Sequence, residues 1–189
     1  MPHTFVIFGA SGDLTSRKLI PALYNLRRKK RLPDDTRVVG FSRTAYSHED
    51  WRKELAESTA KFVGENFDAE LWNEFSQQIF YHPGDIGVAD DFAKLKGFLE
   101  EIEGGGEATR VYYLSTAPRF YEQAIGQLGD AGLACEDDDC KRRVVIEKPF
   151  GTDLASAVAL NEAVHKSFAE HQVYRIDHYL GKETVQNLL

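Results

Sequence analysis

The residues of this 189-residue chain whose types and spacing could do chemistry fall into four short segments. The first is Gly9-Ala-Ser-Gly12-Asp-Leu14, a turn between an apolar, β-rich run at 4–8 and a helical pattern. Glycine permits a tight turn and close backbone approach, and a helix start offers unpaired N–H groups to an anion. The spacing is G-x-x-G, with Thr15 where a third glycine would stand. Alone it reads either as a phosphate-binding turn or as a plain glycine-rich turn. Its place after the opening strand favours the first reading, because a doubly wound sheet holds a dinucleotide pyrophosphate there.

The second segment, Gly40-Phe-Ser42-Arg43-Thr44, ends the next predicted strand without a carboxylate. NAD enzymes generally place Asp or Glu there for the ribose 2′-hydroxyl, whereas Arg accommodates the 2′-phosphate of NADP. Arg43 can bond that phosphate with charge assistance, and Ser42 or Thr44 can add hydroxyl donors. The competing reading is a solvated arginine. The third segment, Glu147-Lys148-Pro149-Phe150-Gly151, follows the fifth predicted strand, at the sheet edge where ligands bind. The fourth, Arg175-Ile-Asp177-His178-Tyr179-Leu-Gly-Lys182-Glu183, offers imidazole, phenol and ammonium donors. His178 and Lys182 stand at i and i+4, one helical turn apart, as phosphate ligands or as a buried His beside a solvated Lys.

Strands alternating with helices must position these segments. Strand-like runs occur at 4–8, 37–41, 79–81, 111–114, 144–146 and 173–176. Between them, Leu19, Leu23 and Leu26 mark a first helix, and one or two polar helices occupy 47–76, with Ser47 and Glu49-Asp50 suiting a start. Phe92, Leu95, Leu99 and Ile102 align on the next helix, which Gly104-Gly-Gly106 ends. Phe120, Ala124 and Leu128 align on another, and Leu154, Val158, Val164 and Phe168 on a last one opening near Asp153. The expected fold is α/β, a doubly wound, Rossmann-like parallel sheet with helices on both faces.

A net charge of −7 argues against nucleic acid or an anionic membrane as a partner. No apolar run approaches the roughly 18 residues of a membrane span, and the N-terminus enters a strand without a signal segment. Cys135 and Cys140, in an acidic stretch, suit a reducing cytoplasm, and no neighbouring ligands complete a metal site. The run Arg27-Arg-Lys-Lys-Arg31 reads as a solvated helix end, where cations complement the dipole.

Three of these segments together resemble the motifs of glucose-6-phosphate dehydrogenases. Residues 9–19 are similar to that family's opening motif, 147–151 to its motif after the fifth strand, and 175–183 to its substrate-binding signature. The order matches, and the resemblance runs from the first strand to Leu189, over the N-terminal part of the usual enzyme. It implies residues 1–176 as the dinucleotide-binding domain and 177–189 as the start of the substrate-binding helix and of a C-terminal α+β domain, before which the chain is truncated. It implies NADP as cofactor, bound by Gly9, Ala10, Ser11, Gly12, Asp13, Leu14, Arg43, Asp85, Ile86, Ala117, Pro118, Glu147 and Lys148. Glucose 6-phosphate would be held by Lys18, Lys148, His178, Tyr179 and Lys182, with Lys148-Pro149 a cis bond. The implied catalytic residues are Lys148 and Asp177, the latter orienting a histidine general base that this chain lacks.

The implied function is NADP-dependent oxidation of glucose 6-phosphate at C1 to 6-phosphogluconolactone, in the cytoplasm. The chain alone is expected to bind cofactor and turn over almost nothing, and a homo-oligomer is expected only of the full-length enzyme. Two alternatives stand beside it. One is another NAD(P)-dependent sugar oxidoreductase, since a Glu-Lys-Pro turn also occurs in the glucose–fructose oxidoreductase group. The other is a non-catalytic nucleotide-binding fragment.

Overall fold

The computed structural model describes residues 2–105, 108–136, 141–151 and 153–177. In these, strand and helix alternate as β1 (His3–Phe8), α1 (Ile20–Arg28), β2 (Arg37–Ser42), α2 (His48–Val63), α3 (Ala69–Ser76), β3 (Ile79–Pro83) and α4 (Ala89–Ile102). The second half continues as β4 (Thr109–Leu114), α5 (Tyr121–Asp130), β5 (Arg142–Glu147), α6 (Leu154–Ser167) and β6 (Val173–Ile176). All strand pairs are parallel, in the order β3-β2-β1-β4-β5-β6. The order reverses between β1 and β4, which makes the carboxyl ends of those two strands the switch point of the sheet.

Alternation along the strands divides the core in two. Ile7, Val38 and Ile79 point to one face and pack with Ile20, Tyr24, Trp51, Trp72 and Phe75 of α1, α2 and α3. Phe8, Phe41, Tyr112 and Val144 point to the other and pack with Phe92, Leu128, Val164 and Phe168 of α4, α5 and the α6 end. Phe8 lies 5.1 Å from Phe41 and 5.7 Å from Phe92, ring centre to ring centre, directly beneath the switch point. Each such buried aromatic contributes about 1.5–3 kcal/mol relative to an exposed one.

The helix starts follow their side chains. Ser47 Oγ accepts from the Asp50 N–H at 3.0 Å, and Asp68 Oδ1 caps α3 through the Glu70 and Leu71 amides. Asp153 and Ser156 cap each other at the start of α6. Gly104 and Gly105, both with positive φ, follow the end of α4.

Three expected faces are rotated. α1 is preceded by a wide π-helical turn, Thr15–Leu19, in which the Ile20 N–H reaches the Thr15 carbonyl. The extra residue per turn shifts the inward stripe to Ile20, Leu23 and Tyr24, and Leu26 is left partly in solvent. On α6 the inward positions are Leu160, Val164 and then Phe168, while Leu154 is 81% and Val158 48% exposed. Phe120 does not join the α5 stripe: it closes a 3₁₀ turn, Pro118–Phe120, and Tyr121 takes the core position.

Candidate functional site

The loops after β1, β2, β3 and β4 enclose a cleft of about 630 Å³. From the glycine turn it is lined by Gly9, Ser11 and Gly12, and from the end of β2 by Ser42, Arg43 and Thr44. Gly84, Asp85 and Ile86 close it after β3, and Ser115, Thr116, Ala117 and Phe120 after β4.

Gly9 is where the two sides of the switch point nearly touch. Its φ is +80°, and a Cβ there would lie 2.2 Å from the Ser115 carbonyl oxygen. The Gly9 amide donates to Phe41 O at 2.9 Å, tying the turn to β2. The Gly12 amide is also engaged, donating to Gly9 O at 2.9 Å. Asp13 and Leu14 open the helical turn that follows, and the amides of a first helical turn lack intrahelical acceptors. Ala10 is buried against the α1–α2 side of the core. Asp13 and Lys18 are exposed on the turn that follows, with Asp13 3.5 Å from Arg17. Leu14 is half-buried at the start of that turn.

The β2 end carries hydroxyls and a cation. Arg43 is exposed at the mouth of the cleft, and no carboxylate pairs with it among the described residues. Beneath it, Ser42 Oγ donates to Ser11 Oγ at 2.9 Å and lies 2.8 Å from the Tyr81 hydroxyl. Asp85 Oδ1 accepts from the Gly87 N–H at 2.7 Å, and the Asp85 N–H donates to Asp91 Oδ2 at 3.0 Å. That bond and the neighbouring Lys94 hold the Asp91 carboxyl below its ordinary range. Pro118, an expected groove residue, opens the 3₁₀ turn behind Ala117 and is not on the cleft wall.

The motif after β5 sits beside this cleft at the same sheet edge. Lys148-Pro149 is cis. The Lys148 N–H donates to Ile176 O at 3.1 Å, extending the β5–β6 pairing by one residue. Lys148 Nζ then reaches Asp177 Oδ2 at 3.0 Å. Glu147 points back into the sheet and accepts a hydrogen bond from the Tyr113 hydroxyl. Burial and the Glu147 carboxylate push the Tyr113 phenol well above its ordinary range and Tyr121 up to about 12. Both phenols therefore stay protonated next to that carboxylate. His178, Tyr179 and Lys182 lie outside the described residues.

Sequence reasoning missed Ser115, Thr116, Gly84, Phe120 and Tyr81. The first two carry a readable signal, small hydroxyl residues directly after a strand that borders the switch point. Tyr81 carries none, since an aromatic in a strand reads as core. The cleft suits a dinucleotide: a glycine backbone at closest approach, a helix start, and a cation with hydroxyls where a ribose phosphate would lie.

Comparison with known proteins agrees with this geometry. The family model described as "Glucose-6-phosphate dehydrogenase, NAD binding domain" matches residues 6–187. A glucose-6-phosphate 1-dehydrogenase of Aggregatibacter actinomycetemcomitans is 46% identical over 97% of the chain, and one of Chlamydia muridarum 41% identical over all of it. Among solved structures, a glucose-6-phosphate dehydrogenase in complex with its substrate superimposes with a TM-score of 0.86 at 37% identity over 99% of the chain. The enzyme from Mycobacterium avium gives 0.83 at 30% identity over 97%. The chain spans only 37–38% of the length of these relatives. Its sheet order, its switch-point cleft and the match over residues 6–187 make the chain a member of the glucose-6-phosphate dehydrogenase family, as the NAD-binding domain of that family.

Proposed function

We propose that this chain is the NADP-binding part of a cytoplasmic enzyme that oxidises glucose 6-phosphate at C1 to 6-phosphogluconolactone. The observation that carries the cofactor choice is Arg43 at the cleft mouth, beside Ser42 and Thr44 and without a carboxylate at the end of β2. A 2′-phosphate there meets a full charge and two hydroxyls, whereas a bare ribose would leave Arg43 without a partner. The bound cofactor supplies the hydride acceptor, and the protein supplies position and charge.

Substrate recognition rests on the family and on chemistry at the β5–β6 edge. The relative whose structure holds glucose 6-phosphate supports that sugar as the substrate. Lys148, fixed through its backbone to β6, would donate to the sugar, with Lys18 as a second cation. His178, Tyr179 and Lys182 would hold the phosphate. Asp177 would orient a histidine base contributed by the remainder of a longer enzyme. Its partners would then be small molecules, with a homo-oligomer formed only at full length.

The test uses the chain completed with the remaining length of a relative. NADPH should form with glucose 6-phosphate, and Lys182→Ala should raise its KM far more than that for glucose. Equal effects on the two sugars would defeat the phosphate assignment.

A further inference from the structure

Tyr81 is 2% exposed, on β3, one strand removed from the β2 end that it serves. Its ring is fixed from two sides, 5.1 Å from Trp51 and edge-on to Tyr46 at 5.3 Å. Its backbone is fixed as well, since the Tyr81 N–H donates to His48 Nδ1 at 3.0 Å. What projects from this anchored body is a hydroxyl. It donates to the Thr44 carbonyl at 2.7 Å and meets Ser42 Oγ at 2.8 Å.

With the Ser42 hydrogen turned to Ser11, the one phenolic hydrogen is shared between these two acceptors, which lie on either side of Arg43. One belongs to the backbone after it, and the other to the side chain before it. Ser42 Oγ in turn donates to Ser11 Oγ at 2.9 Å, which leaves the Ser11 hydroxyl hydrogen available to the cleft. A chain of bonded hydroxyls thus runs from a buried phenol to the glycine turn. Burial raises the Tyr81 phenol above its ordinary range, so it remains a donor across the neutral range.

We infer that Tyr81 is a positioning residue for cofactor choice: its hydroxyl holds Ser42 and the Thr44 carbonyl so that Ser11 and Arg43 present their donors together to a ribose 2′-phosphate. It does not itself line the cleft. The inference rests on the proposal that Arg43 reads that phosphate. The physical ground is preorganisation: donors already held in the bound geometry bind without further ordering cost. A tyrosine serving only the core would support both cofactors equally. One that aims the 2′-phosphate donors supports NADP alone.

The test is calorimetric titration of the chain with NADP and with NAD, for wild type, Tyr81→Phe, Ser42→Ala and Arg43→Ala. Tyr81→Phe keeps the ring and removes the hydroxyl, and it should weaken NADP by about 3- to 10-fold, the scale of one or two hydrogen bonds, with NAD changed less than about twofold. Ser42→Ala, which breaks the chain without entering the core, should shift the ratio in the same direction. An unchanged NADP-to-NAD ratio in either variant overturns the inference, whether because nothing weakens or because both cofactors weaken alike. Arg43→Ala separates the two layers. If it shifts the ratio and Tyr81→Phe does not, only the positioning role is wrong. If Arg43→Ala weakens both cofactors equally, the 2′-phosphate reading itself is wrong.

Discussion

Lys148 and Asp177, 29 residues apart in sequence, meet at 3.0 Å because the register of β5 on β6 sets them side by side. Glu147 pairs with Ile176, so the next residue of each strand leaves the sheet at the same point. The Lys148 side chain is 61% exposed, and an ion pair this open to solvent contributes no more than about 1 kcal/mol. Asp177→Asn should therefore leave the unfolding free energy of the chain within that range in urea titration. A loss several times larger would mean that the pair holds the fold together and is not kept for the site.

Gly9→Ala should fail on two counts. The residue has φ of +80°, and its Cβ would sit 2.2 Å from the Ser115 carbonyl. Separating the loops after β1 and β4 opens the cleft at its closest point. Dinucleotide binding should disappear, with a stability loss of about 1–3 kcal/mol from the strained backbone alone. Wild-type affinity for NADP in this variant would show that the turn is not the pyrophosphate site.

At the opposite edge of the sheet, Arg110 and Glu103 form a buried pair, 7% and 1% exposed, with two contacts from Nε at 3.1 Å and one from Nη2 at 2.5 Å. Removing one partner leaves a buried charge without compensation, so Glu103→Ala should cost about 3–5 kcal/mol. The double change Glu103→Met with Arg110→Met should cost less, because both charges leave together. Chemical denaturation of the three proteins checks this, and a double variant at least as unstable as the single one would contradict it.

Acid sensitivity should centre on Glu136. Burial pushes its carboxyl up, but bonds from His171, the Arg142 N–H and Arg143 outweigh that and hold it at about 2. A carboxylate depressed on folding contributes stability above its unfolded value of about 4.5, and the contribution is lost as pH falls towards 2. Thermal melts between pH 5 and about 2 should show a steeper decline for wild type than for Glu136→Gln. Parallel curves would mean that Glu136 contributes nothing to the acid sensitivity.

The alternation of elements was legible because strands and helices carry different periods, and because Ser47 and Asp153 cap the starts of α2 and α6 and Gly104 follows the end of α4. Gly9 and Arg43 were legible because a glycine turn and a strand-end cation have meaning at fixed places in a doubly wound sheet. The rotated stripe on α1 was not, since a π turn leaves no mark in the spacing of leucines. Nor was the exposure of Leu154 and Val158, because an apolar helix does not declare which of its faces meets the sheet. Tyr81 lay beyond reach for another reason: its partners Ser42 and Thr44 are distant in sequence and are joined to it only by the β2–β3 register.

Titrating the chain and its Arg43→Ala variant with NADP and NAD decides whether the switch-point cleft is a dinucleotide site that selects NADP through Arg43. Wild type should bind NADP more tightly than NAD. Arg43→Ala should weaken NADP by about 1–3 kcal/mol, roughly 5- to 150-fold in Kd, and leave NAD within about twofold. Equal losses for both cofactors, or wild-type binding of NAD as tight as that of NADP, would contradict that selection.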